Sequence, residues 1–484
     1  MTLEFIRFHA HRKSASIALG NNGVPVSYGE LYRSVSDVMA GLRAFEIAEG
    51  SVVAIGCKDP YLELVLLLAC EGLSVVRAPF AGPEDPAGAH WIAAADVVVT
   101  DAPIKGPKPQ RHLQVSGDWI RAQQALARGG SNEVLLAAPL APPAPDTPAL
   151  ILSTSGTTGA AKRILLSARV LDGRIRERVW QYGLSRHARF LVATPLSVGV
   201  VLTTVFSCLE LGATVVFDSN ALLESRLEHL THVVLLPVHL RRLLDALPAG
   251  QPKPQNLTVV SIGALLGGRL RERVLERLAS ELFDSYGSNE AGPICSIESD
   301  GFGQILPGVE VRIEDERGSI LAEGQAGLLA VRGPWMCQGY LADPMESARK
   351  FRSGWFYPGD IGVKEHGRIR IIGRADELLN IGGIKVAPWI LEEALGKHMP
   401  QREVAICAIA GGAGIEEVCV AVTGSTPGAS ELVAIVKTVL GPEFGEIHIV
   451  QLDGLPLGPH GKLQREQLKA LLTQSVAAAK ARRA

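Results

Sequence analysis

Seven cysteines are scattered along 484 residues, at 57, 70, 208, 295, 337, 407 and 419, and no two of them stand in a CxxC spacing. That absence argues against a zinc site or a disulfide framework and fits a reducing compartment, so a cytoplasmic location is expected. An excess of one charge is missing too. Lys and Arg number 48 against 50 Asp and Glu, a formal net charge of −2. Such a balance supplies no field for nucleic acid or an anionic membrane, and neither is expected as a partner. Met1 to Lys13 mix acid, base and histidine without an apolar stretch, so no signal peptide is read there. Phe190 to Leu209 carries no charge over about one bilayer span. Pro195, Gly199 and several Ser and Thr interrupt it, which reads as a core strand, a loop and a buried helix rather than a membrane span. No internal repeat is present.

What is present is apolar bulk, 47% of the chain, enough for large cores in more than one domain. Leu31, Val35, Val38, Met39 and Leu42 recur at helical spacing after Val26. Short apolar runs at Val52–Gly56, Ser74–Arg77 and Val97–Thr100 read as buried strands, with an apolar helix at Tyr61–Cys70 between the first two. Strands alternating with helices predict a parallel, doubly wound sheet. Ser167 is placed to cap a helix reaching about Tyr182, whose Arg174, Arg176, Glu177 and Arg178 read as a solvated face. Further strands are expected at Val233–Leu236, Leu257–Ile262 and Leu282–Tyr286, with helices at His239–Leu247 and Arg269–Ala279. From 302 to 372 the pattern changes to short strands, with hairpin signals at Glu316-Arg317-Gly318 and His366-Gly367, and reads as a smaller β-rich subdomain. Beyond Gly373 the composition resets to a compact α+β unit. Residues 473–484 read as a frayed basic tail. The expected fold is α/β: a large N-terminal domain, 1–373, of doubly wound sheets plus the β-rich subdomain, and a small mobile α+β C-terminal domain, 374–484.

Leu152 to Lys162 reads Leu-Ser-Thr-Ser-Gly-Thr-Thr-Gly-Ala-Ala-Lys. Glycines let successive N–H groups turn inward, hydroxyls add donors and the lysine adds a point charge, which together suit a polyphosphate. It is not a Walker A loop, because only two residues separate Gly156 from Gly159 and Arg163 follows Lys162. A flexible Ser/Thr/Gly surface loop is the plainer reading of this stretch alone. Four more motifs sit at turns: Tyr286-Gly287-Ser288-Asn289-Glu290, Trp355 to Asp360, Gly373-Arg374-Ala375-Asp376, and Leu455 to Lys462. Each by itself is an ordinary turn or a solvated loop.

The order and spacing of the five together resemble the adenylate-forming superfamily, which unites acyl- and aryl-CoA ligases, firefly luciferase and peptide-synthetase adenylation domains. The resemblance runs from Tyr28 to Arg465. It implies that a carboxylate is joined to AMP with release of pyrophosphate, then passed to a thiol. It also implies ATP, Mg²⁺ and CoA, or a phosphopantetheinylated carrier protein, as reaction partners. By this resemblance Thr154, Ser155, Gly156, Thr157, Thr158, Gly159 and Lys162 form the phosphate loop. Gly263, Ala264 and Leu265 wall the adenine, Tyr286 stacks on its other face and Asp284 meets its amino group. Ser285, Gly287 and Ile372 complete the expected nucleotide contacts. Glu290 is the Mg²⁺ carboxylate, Asn289 faces the α-phosphate, and Asp360 and Arg374 hold the ribose. Asp376 is the hinge, Gly382 and Gly383 form the thiol-side loop, and Lys462 bridges the carboxylate and the α-phosphate.

Five positions depart from the family pattern. Ala161 stands where Pro is usual, Asn289 where Thr touches the α-phosphate, Pro358 where Thr precedes Gly-Asp, Gly458 where Thr is frequent, and Val198 where many CoA ligases carry His or an aromatic gate. None removes the metal carboxylate, the ribose acid or the lysine, so adenylation is expected to survive. The acid pocket is expected from Val198, Gly199, Val200 and Ile294, small or apolar residues that favour an aryl or medium aliphatic acid, though each also reads as plain core. Three functions fit: an acyl- or aryl-CoA ligase, a free-standing adenylation enzyme that loads a carrier protein, and a catalytically inactive nucleotide-binding protein of the same fold.

Overall fold

The computed structural model of the protein describes residues 1–82, 84, 91, 94–104, 109–120, 140–154, 162–218, 227–248, 250–381, 384–399, 402–410, 416–424, 428–440, 446–457 and 463–481. Local chemistry accounts for the element boundaries. The helix Tyr28–Ala44 opens on a capping box: the Ser27 side chain accepts from the Glu30 amide and the Glu30 carboxylate accepts from the Ser27 amide. Its buried stripe includes the five residues whose spacing announced it. The helix Pro60–Gly72 starts on Asp59 with Pro at its first position, and ten of its residues, Glu63 among them, are buried, as its largely apolar sequence leads one to expect.

Two sheets follow. The smaller has six strands in the order His112–Gln114, Val97–Thr100, Val52–Gly56, Val76–Pro79, Pro148–Thr154 and Lys162–Ser167. All pairs are parallel except the last, which is an antiparallel hairpin. The larger has fifteen strands. Its parallel part runs from Ile17–Asn21 through Thr214–Phe217, Arg189–Leu191, His232–Leu235 and Thr258–Ser261 to Glu281–Ser288. Its antiparallel part continues without a break through Gly292–Ile297, Gly303–Ile305, Arg368–Arg374 and Asp360–Glu365 to Ala326–Arg332. The β-rich stretch therefore has its own core, around Val311, Leu329, Phe356 and Ile369, but belongs to the same sheet as the parallel strands. One apolar core joins both sheets through the helices Ala168–Gln181 and Gly199–Leu211.

The C-terminal unit holds a three-stranded sheet, Val404–Ala410, Glu416–Thr423 and Ile447–Leu452. Period-two alternation gives it two apolar faces. Ile406 and Ala408 pack under the helices Pro388–His398 and Ala429–Leu440, while Ala405, Cys407 and Ile409 pack under the helix Arg465–Ala481. That last helix corrects the frayed tail expected over 473–484. Leu468, Leu472 and Val476, spaced four apart, form a buried stripe, and the alanines around them are strong helix formers. Residues 482–484 lie outside the described residues. The run Phe190–Leu209 resolves into the strand, loop and buried helix expected of it. Among the described residues no helix is long and apolar enough to cross a membrane.

Candidate active site

The strands on either side of the glycine-rich stretch, Pro148–Thr154 and Lys162–Ser167, pair with each other. Thr154 pairs with Lys162 at the end of the antiparallel ladder, so the chain leaves and re-enters the small sheet at that register. The ladder from Lys162 to Ser167 lacks a clean polar–apolar alternation, and the sequence alone gave no strand there. Lys162 Nζ lies 2.5 Å from Glu346 Oε1 and over the Tyr340 ring. Hydrogen bonds from Arg349 and from Lys162 hold the Glu346 carboxyl down to about 2. Tyr340 in turn donates to Glu290 Oε1 at 2.9 Å. Tyr340 and Glu346 thus couple Lys162, at the base of the expected phosphate loop, to the expected metal carboxylate. Ser155, Gly156, Thr157, Thr158, Gly159 and Ala161 lie outside the described residues, as do Gly382, Gly383, Gly458 and Lys462.

Glu281–Ser288 delivers the second group of residues. Gly287 is required where it stands, because a Cβ there would come within 2.5 Å of the Gly292 carbonyl. Tyr286 donates its hydroxyl to Asp360 Oδ2, and Arg374 sits 3.6 Å from the other Asp360 oxygen while also pairing with Asp376. Burial raises the Asp360 carboxyl above its ordinary value, against the lowering pull of Tyr286 and Arg374. Burial, reinforced by Asp360, also raises the Tyr286 phenol well above its own. Tyr286, Asp360, Arg374 and Asp376, the residues expected to serve as aromatic wall, ribose contacts and hinge, are therefore one connected group, although Tyr286 and Asp376 are 90 positions apart. Gly263, at a φ of +83°, and Ala264 are exposed at the end of Thr258–Ser261, with Leu265 half-buried beside them.

Other residues are placed differently from expectation. The Asp284 carboxylate is turned to Arg271 of the helix Gly268–Arg277, at 2.9 Å, and burial pushes it up to about 7 despite that partner. Ser285 accepts a long hydrogen bond from Gln181. The Ile372 carbonyl is taken by the indole N–H of Trp389, from the helix Pro388–His398. Val198 and Val200 flank Gly199, where a Cβ would meet Leu152 at 2.7 Å and the Asn289 side chain at 2.9 Å. Ile294 does not join them. It is 1% exposed in the core of the antiparallel strands, at the point where the register of Gly292–Ile297 against Glu281–Ser288 shifts.

The largest correction concerns Ala168–Gln181. Of the four residues read as a solvated face, only Arg176 is exposed; Arg174, Glu177 and Arg178 are each under 5% exposed. Arg174 donates to the carbonyls of Trp335, Asn289 and Glu290, so its guanidinium clamps the turn that carries the expected α-phosphate and metal residues. Asn289 is also tied by its amide nitrogen to the Ser153 carbonyl at 2.8 Å. Arg174→Met would leave three buried carbonyls without their donor and is expected to cost about 3 kcal/mol. A urea midpoint equal to that of the wild type would show that the clamp does not hold the turn. The signal available in the sequence was helical spacing: Arg174, Glu177, Arg178 and Gln181 fall at i, i+3, i+4 and i+7, one face of the helix.

Glu177 makes a second test. Burial pushes its carboxyl from 4.5 up to about 7, against the pull of Arg178 and Arg174. A carboxyl whose folded-state value is raised favours the folded state at low pH and loses that advantage as pH climbs from 4.5 to 7. Above that window the ionised group costs about 3 kcal/mol. Glu177→Gln is therefore expected to match the wild type near the bottom of the window and to unfold at a higher temperature above it. A gap that does not change with pH would contradict this.

The chain has relatives of known kind. A family model described as AMP-binding enzyme matches residues 6–341. Indoleacetate–CoA ligase of Aromatoleum aromaticum is 28% identical, over 97% of this chain and 98% of that protein. Among solved structures, the anthranilate CoA ligase AuaEII in complex with anthranoyl-AMP has a TM-score of 0.85 at 19% identity, over 98% of both chains. The o-succinylbenzoate CoA synthetase MenE of Bacillus subtilis, in complex with the acyl-adenylate OSB-AMP, has a TM-score of 0.80 at 21% identity, over 96% of this chain and 98% of that one. At such identities the structural likeness speaks for the fold. The family match extends from the first helix to the Tyr340 segment, and on it the chain belongs to the AMP-binding enzyme family.

Proposed function

We propose that this protein activates an aryl or medium aliphatic carboxylic acid with ATP, releases pyrophosphate, and transfers the acyl group to the thiol of CoA. One observation carries the proposal. Segments far apart in sequence gather into two polar clusters, Lys162 and Glu346 with Tyr340 and Glu290, and Tyr286 with Asp360 and Arg374, and the short stretch from Tyr286 to Glu290 belongs to both. The acid attacks as an ionised carboxylate, so no general base is needed. Holding the two anions together and offsetting their charge is the task. Glu290 fits a hard cation: it is a buried carboxylate, and among the described residues its one hydrogen bond, from Tyr340, engages Oε1. Mg²⁺ there would offset charge on the phosphates.

In this reading Tyr286 stacks on the adenine, while Asp360 and Arg374 receive the ribose. Lys162 leaves Glu346 for the departing phosphates, and Lys462 meets the α-phosphate and the acid. Residues 374–484 then turn about Asp376, withdrawing Lys462 and presenting Gly382 and Gly383 to the pantetheine arm. The experiment is exchange of pyrophosphate into ATP across a panel of acids, followed by CoA and a phosphopantetheinylated carrier protein as competing acceptors. Exchange with some acid and thioester on CoA is the expected result. Thioester on the carrier alone would replace CoA with a carrier as the acceptor. No exchange with any acid, by folded protein, would leave an inactive nucleotide-binding protein.

A further inference from the structure

The face of Ala168–Gln181 that looks inward does more than clamp a turn. Arg178 is 4% exposed, and among the described residues its hydrogen-bond partners are all neutral: the Gln181 amide oxygen at 2.5 Å, the Thr203 hydroxyl at 3.3 Å and the Tyr182 hydroxyl at 3.4 Å. Among the described residues no carboxylate lies within ion-pair distance of it. Arg174, one turn earlier, spends its donors on backbone carbonyls. Glu177 is the acid on this face, and at neutral pH it carries only part of a charge, with Oε2 shut away from solvent and without a hydrogen bond among the described residues. The Ser197 hydroxyl, beside Val198, is in the same condition. A buried cation with neutral partners is expensive to maintain unless an anion arrives to pair with it.

Position says where that anion would sit. Thr203 lies one helical turn beyond Gly199, and its hydroxyl bonds the Gly199 carbonyl. Gly199 itself packs against Asn289, at the end of the site read as the α-phosphate end. Four helical residues advance about 6 Å. Thr203, to whose hydroxyl Arg178 donates, therefore stands about the length of a benzene ring, or of a four-carbon chain, along this helix from Gly199.

We propose that the acid activated here carries a second polar group, by preference a carboxylate, at the end remote from the one that reacts, and that Arg178 with Gln181 and Thr203 receives it. This rests on the adenylation reading and narrows its substrate class from a plain aryl or aliphatic acid to one with an anionic or hydrogen-bonding tail. Val198 and Val200, half-buried on either side of Gly199, would meet the middle of such a molecule with apolar side chains.

The test is pyrophosphate exchange with matched acids: benzoate against terephthalate, cinnamate against 4-hydroxycinnamate and 4-carboxycinnamate, and a straight-chain monoacid against the diacid of equal length. The wild type is expected to favour one tailed acid over its plain partner by about 100-fold in kcat/KM. Arg178→Met is expected to bring that ratio close to one, chiefly through KM of the tailed acid, with Arg178→Lys between the two. Preference for the plain acid in every pair would overturn the proposal while leaving adenylation intact, as would a tailed-acid preference that Arg178→Met does not change. Exchange with none of the acids would overturn the adenylation reading and this proposal with it. Should Arg178→Met fail to fold, the wild-type ratios and Arg178→Lys decide.

Discussion

Lys462→Ala is expected to lose adenylate formation by at least about 100-fold, the scale of removing one fixed charge from a developing anion. Thioester formation from supplied acyl-AMP should continue at close to the wild-type rate. The split follows from the proposed division of labour. Lys462 stands in the last motif, in the segment that leads into the helix Arg465–Ala481, and the proposal brings it to the α-phosphate for the first half-reaction only. Pyrophosphate exchange reads the first half, and thiol-dependent release of AMP from the supplied adenylate reads the second. Equal losses in both halves would remove Lys462 from the role given to it. Adenylation at the wild-type rate would do the same.

Glu290→Gln carries the second large effect. The carboxylate is buried and accepts the Tyr340 hydroxyl, and Arg174 fixes the carbonyl of the same residue. An amide of the same shape preserves the packing and removes the charge, so stability should change little while exchange falls by about 100-fold or more. The Mg²⁺ concentration giving half-maximal exchange should rise as well. Tyr340→Phe should give a milder loss, because it frees a carboxylate oxygen without removing the charge. Unchanged Mg²⁺ dependence in Glu290→Gln would take the metal away from this residue.

Fold and site were legible to different degrees, for identifiable reasons. Val52–Gly56 and Val97–Thr100 could be read residue by residue, because buried parallel strands are unbroken apolar runs bounded by turn signals. The helix after Ser167 was equally plain from its cap. What escaped was pairing. Nothing local in Gly303–Ile305 says that it bridges Gly292–Ile297 to Arg368–Arg374 and so joins the β-rich stretch to the parallel strands. Leu468, Leu472 and Val476 were masked by the alanine- and lysine-rich composition around them.

In the site, short turn motifs pointed to Glu290, Asp360 and Arg374, whereas the residues that organise them carry no motif. Arg174, Arg178 and Gln181 look like any charged surface of a helix until the elements opposite are known. Tyr340 and Glu346 lie in a segment whose role appears only when it lies beside Lys162 and Arg163. Charge on a helix face is ambiguous in one dimension, because solvent and a backbone carbonyl satisfy a guanidinium equally well.

The central claim is that the residues around Glu290 and Asp360, with Lys162 and Lys462, direct a carboxylate to the α-phosphorus of ATP. It is tested most directly by following heavy oxygen from a labelled acid through one turnover in the presence of CoA. Attack at the α-phosphorus places one labelled oxygen in AMP and none in pyrophosphate. Label in orthophosphate, with ADP as the other product, would mean attack at the terminal phosphate and would contradict the account.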